Sequence, residues 1–294
     1  MKILVIIVTY NAKKWIDDCF GSIVKSTLPC DVFVVDNGST DGTQSIIQTC
    51  YPSAHFVQSK CNLGFGKANN LGFKYAVENG YDFCYLLNQD AYFFPETLST
   101  LINVYEKNCQ YGILSPIQLQ KNANKMDSNF QDVAISNRDF LNDLLNDDVK
   151  DVYSVQSVMA AHWLVPIKTI KTVGFFSPAF PHYGEDDNYC DRVEYHGMKV
   201  GFVPQARAVH DREFRKDTKK KILYLNYIHN IARLSFIQNP TAKPILQILK
   251  HSLKVCVEQK TLRGIFDLLL LLARYRKIKQ YKEQSKEKCA FFKG

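Results

Sequence analysis

The sequence VFVVDNGSTDGT, residues 32–43, joins four apolar residues to a polar turn that contains two glycines. A continuous apolar run of this kind predicts a strand that is buried on both faces. Asp36 marks the end of that strand, and the small and polar residues after it are typical of a turn. Strands buried on both faces belong to parallel sheets covered by helices, so this stretch indicates the class of fold.

The segments on both sides of this stretch continue a regular alternation. Consecutive apolar residues predict buried strands, and apolar residues that recur every three or four positions predict helices. The predicted order is strand 3–9, helix 14–25, strand 32–35, helix 44–50, strand 54–57, helix 67–78 and strand 83–87. This alternation predicts an α/β domain with a mostly parallel central sheet flanked by helices.

Polar side chains follow three of the predicted strands. Thr9 and Asn11 follow the first strand, Asp36 follows the second, and Asn88 and Asp90 follow the strand at 83–87. Ligands of open parallel sheets bind outside the carboxyl ends of the strands. A solvated turn or a helix cap is the simpler interpretation of Asp90 taken alone. Three polar strand ends in one sheet nevertheless favour a binding site.

Two common nucleotide-binding motifs are absent from the sequence. No GxGxxG fingerprint follows the first strand, and NLGFGKANN, residues 62–70, lacks a third glycine at the required spacing. The Walker lysine loop is also absent. A nucleotide would therefore be bound without the usual glycine-rich cradle.

A second group of chemically capable residues lies later in the chain. HYGEDDNYCDR, residues 182–192, places three adjacent carboxylates before a predicted helix at 187–196. These carboxylates either stabilise the helix N-terminus or supply a general base, because neighbouring carboxylates shift one another's pKa. His210 follows a predicted strand at 199–203 and a predicted turn at Pro204. It is either a structural histidine or shares a divalent cation with an aspartate.

Length and composition limit the remaining possibilities. A chain of 294 residues allows one large domain, or one domain with an appendage. Nine cysteines without paired spacing favour a reducing compartment, and the N-terminus lacks the features of a signal peptide. No run of about 18 apolar residues occurs, so no membrane-spanning helix is expected. We therefore expect a cytoplasmic protein.

Two regions depart from the strand and helix alternation. Residues 118–151 contain seven aspartates and few large apolar residues, which predicts a surface excursion or flexible flap. Residues 216–294 are predicted to be helical, and residues 243–294 contain 13 Lys and Arg against 4 Asp and Glu. Within them IFDLLLLLA, residues 265–273, precedes a basic stretch and is too short to span a membrane. It either lies in the membrane interface, packs on the preceding α/β domain or forms a dimer seam.

Taken together, these motifs make the sequence resemble the family 2 glycosyltransferases, inverting enzymes of the GT-A fold, and particularly their bacterial rhamnosyltransferase-like branch. The resemblance covers roughly residues 3–212. It is carried by VIIVTYNAKKWIDDCFGSI (5–23), VFVVDNGSTDGT (32–43), NLGFGKANNLGFKYA (62–76), LLNQDA (86–91), VGFFSPAFPHYGEDDNYCDR (173–192) and His210. It implies a GT-A catalytic domain at 1–215, with 118–151 on the acceptor side, and a basic helical extension at 216–294.

The resemblance also implies a metal and a nucleotide site. LLNQDA occupies the place of the family's metal-binding Asp-x-Asp motif, with Asn88 in place of the first aspartate. Asp90 would then hold Mg²⁺ or Mn²⁺, with His210 as a second ligand. The residues expected to bind the nucleotide are Thr9, Asn11, Asp36, Lys67 and Asn88. Asp36 would receive the ring N–H of uracil or thymine, and Lys67 would either reach the diphosphate or remain an exposed helix lysine.

For catalysis, the resemblance implies that Asp186 is the general base and that Glu185 orients the acceptor or exchanges roles with it. His162 and Trp163 are expected near the acceptor. The implied reaction transfers a hexosyl or deoxyhexosyl group from a UDP- or dTDP-sugar to a hydroxyl of a glycan or polyprenyl-linked acceptor, in bacterial surface polysaccharide synthesis. A sugar-phosphate nucleotidylyltransferase and a non-catalytic GT-A scaffold are the alternatives. A membrane surface at the inner face of the cell membrane and a second copy are possible partners; nucleic acid is not.

Overall fold

A single nine-stranded sheet runs through the described residues of the computed structural model, which are 1–212, 218–238 and 243–292. Its strands are β1 (Ile3–Thr9), β2 (Asp31–Asp36), β3 (His55–Gln58), β4 (Phe83–Asn88), β5 (Ala91–Phe93), β6 (Tyr111–Leu119), β7 (Tyr153–Val155), β8 (His162–Pro166) and β9 (Lys199–His210). They follow the order β3-β2-β1-β4-β8-β6-β9-β5, and β7 pairs with β9. Strands β1 to β4 are mutually parallel, as are β6 and β9, whereas β5, β7 and β8 run antiparallel to their neighbours.

Helices cover both faces of this sheet. They are α1 (Ile16–Val24), α2 (Thr43–Cys50), α3 (Phe65–Glu78), α4 (Thr97–Lys107), α5 (Ser128–Ser136), α6 (Arg138–Leu145), α7 (Ile167–Val173), α8 (Glu185–Tyr195), α9 (Lys219–Ser235), α10 (Pro244–Glu258) and α11 (Arg263–Gln284). Successive side chains of a strand point to opposite faces, so Leu4 and Ile6 enter one apolar core and Val5 and Ile7 enter the other. The apolar run of β1 is continuous because both faces of the strand are buried.

The predicted α/β class and the early elements are confirmed. The predicted strands at 3–9, 32–35 and 83–87 correspond to β1, β2 and β4, and the helix predicted at 67–78 corresponds to α3. The predicted turn at Pro204 is wrong, because β9 continues to His210. Pairing between β6 and β9 shifts register around Pro204, which is consistent with a bulge that accommodates a residue without an N–H.

Residues 118–151 are folded, which corrects the expectation of a flexible flap. Asp127 accepts hydrogen bonds from the backbone N–H groups of Asn129 and Phe130 at the start of α5, and Asn137 caps α6 in the same way. The rings of Phe130 and Phe140 both pack against Phe202 of β9. Several of the polar residues that suggested a loop are therefore helix caps.

The C-terminal helices form a third apolar core with the segment that precedes α8. Ala179 and Phe180 pack with buried residues of α9, α10 and α11, among them Ile228, Ile248 and Leu271. The helical character expected for residues 216–294 is thus present. The expected boundary at 215/216 lies in segment 213–217, outside the described residues.

A strap formed by residues 289–292 returns from the C-terminal helices to the end of α7 and the residues after it. The backbone N–H of Cys289 donates to Thr172 O, and the N–H of Phe175 donates to Ala290 O. The Phe292 ring lies 4.3 Å from that of Phe175. The fully buried Arg192 donates to the carbonyls of Val173 and Phe175, so the strap and Arg192 fix the start of the segment that leads to α8.

None of the described helices is both long enough and apolar enough to cross a lipid bilayer.

Candidate active site

Polar residues at the carboxyl ends of β1, β2 and β4 meet at one edge of the sheet. Thr9 pairs with Asp36 across β1 and β2, and Val8 pairs with Asn88 across β1 and β4. Parallel pairing therefore places the three strand ends side by side, as the sequence predicted.

Asp36 is fully buried, and the protein itself satisfies both of its carboxylate oxygens. Oδ1 accepts from the N–H groups of Gly38 and Ser39 and from Gln44 Nε2, while Oδ2 accepts from the hydroxyls of Thr9 and Ser39. A carboxylate has about four acceptor positions, so five donors leave none for a base N–H. Direct contact between Asp36 and uracil or thymine is thus not supported by this geometry, and Asp36 instead organises the turn after β2.

Thr9 belongs to the same network, whereas Asn11 lies at its surface. Thr9 is fully buried and donates to Asp36 Oδ2 at 2.9 Å. Asn11 is exposed and adopts a left-handed conformation with φ of 52°. Its side-chain oxygen accepts from Thr40 N at 2.9 Å, and its own N–H donates to Ser39 Oγ at 2.8 Å. Asn11 is therefore, unlike Thr9 and Asp36, an expected nucleotide-binding residue that solvent can reach directly.

Gln89 connects the ends of β1 and β4, a role that the sequence did not reveal. Its Oε1 accepts from Tyr10 N at 2.7 Å, and its Nε2 donates to Tyr10 O at 3.3 Å. The neighbouring Asn88 is half-buried, and its backbone N–H donates to Ala161 O at 3.1 Å. The Gln89 side chain thus extends the pairing between β1 and β4 to Tyr10, beyond the end of β1. Asn88 and Asp90 are its neighbours in the chain.

Asp90 and His210 lie together, as expected for a shared metal site. Ala91 pairs with His210 across β5 and β9, and His210 Nε2 lies 3.5 Å from Asp90 Oδ1. Burial raises the pKa of Asp90, but the hydrogen bond and charge of His210 outweigh it and hold the pKa below its ordinary value. Asp90 is 24% exposed, so an ionised carboxylate faces the edge of the sheet.

These two residues fit a divalent cation that also binds phosphate. Within residues 1–212, 218–238 and 243–292, no group of three His, Cys, Asp or Glu side chains is arranged to hold a metal. Mg²⁺ is commonly held by one or two carboxylates together with substrate phosphates, so a complete protein cage is not required. The Nδ1 atom of His210 is buried without a hydrogen-bond partner among the described residues.

The three consecutive carboxylates lie in the first turn of α8. Glu185 is 5% exposed, and its Oε2 has no hydrogen-bond partner in the described part of the chain. Burial, with a contribution from the charge of Asp186, raises the pKa of Glu185 to about 8. Burial and the charge of Asp187 raise the pKa of the half-buried Asp186 to about 7. Asp187 is exposed and accepts from Ser157 Oγ at 2.6 Å.

The backbone around Gly184 places these carboxylates against α9. Gly184 has a φ of 80°, and a Cβ atom there would lie 2.9 Å from Ile228 and 3.1 Å from the Phe180 ring. Glycine is needed for both the left-handed conformation and the close approach. Tyr224 of α9 donates its hydroxyl to His182 O at 3.0 Å. No pattern in the sequence indicated that the C-terminal helices would support the carboxylates.

A short segment that sequence reasoning missed connects the strand ends to α8. Ala161 O accepts from Asn88 N, and the backbone of the preceding Ala160 favours the ionised form of Asp186, against the effect of burial on its pKa. Ser157, at the start of the same segment, binds Asp187. Residues 157–161 therefore bring the end of β4 and the carboxylates of α8 into one site.

Lys67 lies in the first turn of α3, which borders the same carboxylates. A Cβ atom at the adjacent Gly66 would lie 3.7 Å from Glu185 Cβ. Lys67 is exposed, so its ammonium group is available to an anionic ligand. The structure thus places Lys67 on the side of the site where Glu185 and Asp186 lie, at the start of a helix that also favours anions.

His162 and Trp163 do not form an accessible acceptor site, which corrects the expectation from the sequence. Both side chains are fully buried in β8. His162 Nε2 contacts Val209 O at 3.0 Å and Nδ1 contacts the Tyr85 hydroxyl at 2.9 Å, and burial lowers its pKa to about 3. Trp163 donates to Val158 O at 3.1 Å. Through these hydrogen bonds His162 stabilises β9 and Trp163 stabilises segment 157–161.

Several known proteins are similar to this chain. Residues 4–159 match the model of glycosyl transferase family 2. An undecaprenyl-phosphate mannosyltransferase of Micrococcus luteus is 33% identical over 105 residues, which are 35% of this chain and 43% of that protein. An N-acetylglucosaminyl-diphospho-decaprenol L-rhamnosyltransferase of Mycobacterium tuberculosis is 29% identical over 123 residues, 38% of this chain and 40% of that protein. This chain thus spans about two fifths of the length of these relatives.

A solved structure resembles nearly the whole chain. It is S. aureus TarS 1-349 in complex with UDP-GlcNAc, with a TM-score of 0.60 and 17% identity, and the match covers 97% of this chain and 90% of that chain. At this level of identity the likeness extends to the fold alone.

Proposed function

This chain belongs to glycosyl transferase family 2, and from that premise we propose that it transfers a hexosyl or deoxyhexosyl group from a UDP- or dTDP-sugar to an acceptor hydroxyl, with inversion. The observation that carries the proposal is the junction at residues 160–161, where Ala161 O accepts from Asn88 N and the Ala160 backbone acts on the pKa of Asp186. This junction supports a shared site for the strand end that precedes Asp90 and for the half-buried carboxylate of Asp186. The family assignment replaces the nucleotidylyltransferase alternative.

Asp186 is the proposed general base. It removes the proton of the acceptor hydroxyl while the acceptor oxygen attacks the anomeric carbon from the face opposite the leaving nucleoside diphosphate. A pKa of about 7 suits this role, because a base is most effective when its pKa lies near the working pH. Glu185, with a pKa raised to about 8, remains largely protonated at neutral pH and can donate a hydrogen bond that orients the acceptor.

Asp90 and His210 are the proposed ligands of Mg²⁺ or Mn²⁺. When bound, such a cation supplies positive charge that stabilises the leaving diphosphate. The contribution of this chain is to keep Asp90 ionised through its contact with His210 and to anchor His210 in β9. His162, which contacts the carbonyl of the preceding Val209, holds that part of β9 in place.

For the nucleotide, we propose that Asn11 and Asn88 make direct contacts and that Thr9 and Asp36 act by fixing the turn between them. This division is supported by the exposure of Asn11 and by the saturated hydrogen bonding of Asp36. The exposed Lys67 is the proposed cation for the diphosphate. The TarS structure contains UDP-GlcNAc, which supports a UDP-sugar as the first donor to test.

The proposed acceptor is a glycan or polyprenyl-linked sugar at the cytoplasmic face of the cell membrane. This choice is supported by the names of the two relatives, which describe transfer to undecaprenyl phosphate and to a decaprenol-linked sugar. It is also supported by nine free cysteines, which suit a reducing compartment. Residues 118–151 remain the proposed source of acceptor contacts.

The test is a screen of UDP- and dTDP-sugars with short polyprenyl diphosphate sugars as acceptors, with Mn²⁺ present or chelated. We expect metal-dependent release of nucleoside diphosphate with at least one donor, and a product whose anomeric configuration by NMR is opposite to that of the donor. Retention of configuration would contradict the proposed mechanism. Failure of every donor to bind or react, in a protein shown to be folded, would contradict the proposed activity.

A further inference from the structure

Exposed apolar side chains are concentrated on α10 and α11. Of the 21 large apolar residues that are exposed in the described part of the chain, eleven fall between residues 245 and 272. We call them the outer face of the α10–α11 hairpin. They are Ile245, Leu246, Leu249, Leu253, Val257, Leu262, Ile265, Phe266, Leu269, Leu270 and Leu272. Single exposed apolar residues are ordinary on protein surfaces, but a contiguous group of this size marks an interaction surface.

The spacing of these residues separates them from the core-facing side of each helix. On α10, the buried residues are Ile248, Ser252 and Val255. The exposed residues Ile245, Leu249 and Leu253 are spaced by four positions and form a separate row along the same helix. On α11, Leu271 and Ile278 are buried. Leu262, Phe266 and Leu270, again at four-residue steps, are exposed. Each helix therefore has two apolar sides, and only one of them contributes to the core.

The hairpin that carries this outer face is firmly packed. A Cβ atom at Gly264 would lie 2.5 Å from Ser252 O and 2.8 Å from Cys256 Sγ, so the two helices touch at this glycine. Arg263 and Asp267 form an ion pair at 2.9 Å within the first turn of α11. Leu271 and Ile248 share the core with α9. The exposed side chains are thus displayed on a fixed surface.

The charges around the outer face are almost all positive. Residues 243–279 contain nine Lys and Arg and only two acidic residues. Both acidic residues face a basic partner one turn away: Glu258 lies 3.6 Å from Lys254, and Asp267 pairs with Arg263. Arg276 lies one turn beyond Leu272, and Lys277 lies two turns beyond Leu270, so exposed basic residues continue the apolar rows of α11.

We propose that the outer face of the α10–α11 hairpin docks on a bilayer surface that contains anionic phospholipid. The apolar side chains would enter the boundary between headgroups and acyl chains, and the flanking basic residues would contact the lipid phosphates. A second copy is the less suitable occupant, because a symmetric contact would bring two strongly basic surfaces together. This inference does not depend on the transferase reaction.

If the proposed function also holds, docking has a consequence for the acceptor. Helix α9 packs on Phe180 and contacts His182 through Tyr224, and it shares its core with α10 and α11. The membrane-facing hairpin and the carboxylates of α8 are therefore attached to one another through α9. A lipid-linked acceptor would be presented from the same side as the bilayer.

The test is flotation of the full-length protein with vesicles of phosphatidylcholine alone or mixed with phosphatidylglycerol, at low and high salt. We expect binding to the mixed vesicles that weakens at high salt. The variant Lys250→Gln/Arg276→Gln/Lys277→Gln should reduce partitioning by about fivefold for each removed charge. The variant Leu253→Gln/Val257→Gln/Phe266→Gln should abolish binding. Val24→Gln/Leu145→Gln, which removes two exposed apolar residues elsewhere, is the matched control and should bind normally.

Circular dichroism and light scattering of each variant separate this proposal from its alternatives. All substituted side chains are exposed, so we expect unchanged helicity and melting temperature. Absence of binding by the unmodified protein, or binding that ignores lipid charge and salt, would overturn the proposal. It would equally be overturned if the apolar variant converted a stable dimer to a monomer while neither species bound vesicles. Neither result would bear on donor hydrolysis measured without vesicles.

Discussion

Asp36 and Glu185 are both buried carboxylates of the candidate site, but the protein surrounds them differently. Asp36 receives five hydrogen bonds, which come from the turn after β2, from Thr9 and from Gln44 of α2. Glu185 leaves one oxygen without a partner among the described residues, and the amide of Asn188, one turn along α8, is likewise buried without a partner there. The first region is complete by itself, whereas the second retains unused hydrogen-bonding capacity.

This difference predicts different roles for the two carboxylates, one in shaping the binding region and the other in proton transfer. A saturated carboxylate fixes backbone geometry, because removing it leaves several donors unsatisfied. An under-satisfied carboxylate cluster has raised pKa values and can exchange protons or accept a ligand near neutral pH. We therefore expect substitutions in the first region to change stability first, and substitutions in the second region to change turnover first.

The largest expected effect is that of Asp186→Asn. Asparagine keeps the size of the side chain but cannot remove a proton, so turnover should fall by about 10² to 10⁴ while affinity for the nucleotide stays nearly the same. Steady-state kinetics together with calorimetric titration of UDP measures both quantities. Asp187→Asn, assayed above pH 8, is the matched control and should retain most activity. Near-normal turnover of Asp186→Asn would assign the base to another carboxylate.

Asp36→Ala tests the opposite expectation for the first region. The backbone donors of Gly38 and Ser39 would lose their acceptor inside the protein, which costs about 1–3 kcal/mol for each unsatisfied group. We expect a melting temperature lower by about 5 °C or more in a thermal unfolding experiment.

Asp31→Asn, at the other end of β2, is the control for Asp36→Ala. Asp31 is exposed and accepts one hydrogen bond, from the Tyr81 hydroxyl, so its replacement should change the melting temperature little. If Asp36→Ala melted like the unmodified protein but lost nucleotide binding, Asp36 would contact the nucleotide directly, and the contrast between the two regions would be wrong.

Asp90→Ala tests the proposed metal site at the edge of the sheet. Loss of a metal ligand should weaken Mn²⁺-dependent binding of UDP by at least about tenfold, with little effect on binding in the presence of a chelator. Calorimetry with and without Mn²⁺ gives the comparison. Asp211→Asn removes a neighbouring carboxylate that instead pairs with Lys121 at 2.8 Å, and it should leave the metal dependence intact. Equal metal dependence in all three proteins would exclude the role of Asp90.

The smallest expected effect is a shift in the pH profile. The proposed base works when deprotonated, so kcat should rise with pH through the pKa of Asp186, about 7. The negative charge of Asp187 raises that pKa, so Asp187→Asn should lower it and move the rising limb to lower pH by up to about one unit. A shift toward higher pH, or none, would show that the limb reports another group.

Much of the first region could be predicted from the sequence because its contacts are local. Four apolar residues followed by Asp36 identified a buried strand and its carboxyl end. The hydrogen bonds from Gly38 and Ser39 follow the common pattern of an aspartate that caps its own turn, so the internal role of Asp36 was also readable in principle. The resemblance implied a contact between Asp36 and the nucleobase. In the structure, hydrogen bonds from the protein already occupy both carboxylate oxygens of Asp36.

The second region depends on contacts between residues that are distant in sequence. Glu185 to Asp187 were identified as candidates, but their surroundings come from Ala160, Ser157 and helix α9. No local pattern at residues 157–161 indicates that role. His162 and Trp163 were misplaced for a related reason. An aromatic residue beside a histidine suits a sugar site, yet HWLVP forms a strand buried along its whole length.

The strap at residues 289–292 also fixes when each half of the site is completed during synthesis. All strands of the sheet lie before residue 211, so the nascent chain can assemble β1, β2 and β4 while the C-terminal helices are still within the ribosome. The N–H of Phe175 obtains its acceptor only when Ala290 has emerged, and Phe180 obtains its cover only after α9. The strand ends of β1, β2 and β4 can therefore form before the carboxylates of α8 are enclosed, so the α8 side of the candidate site is the later part to be completed.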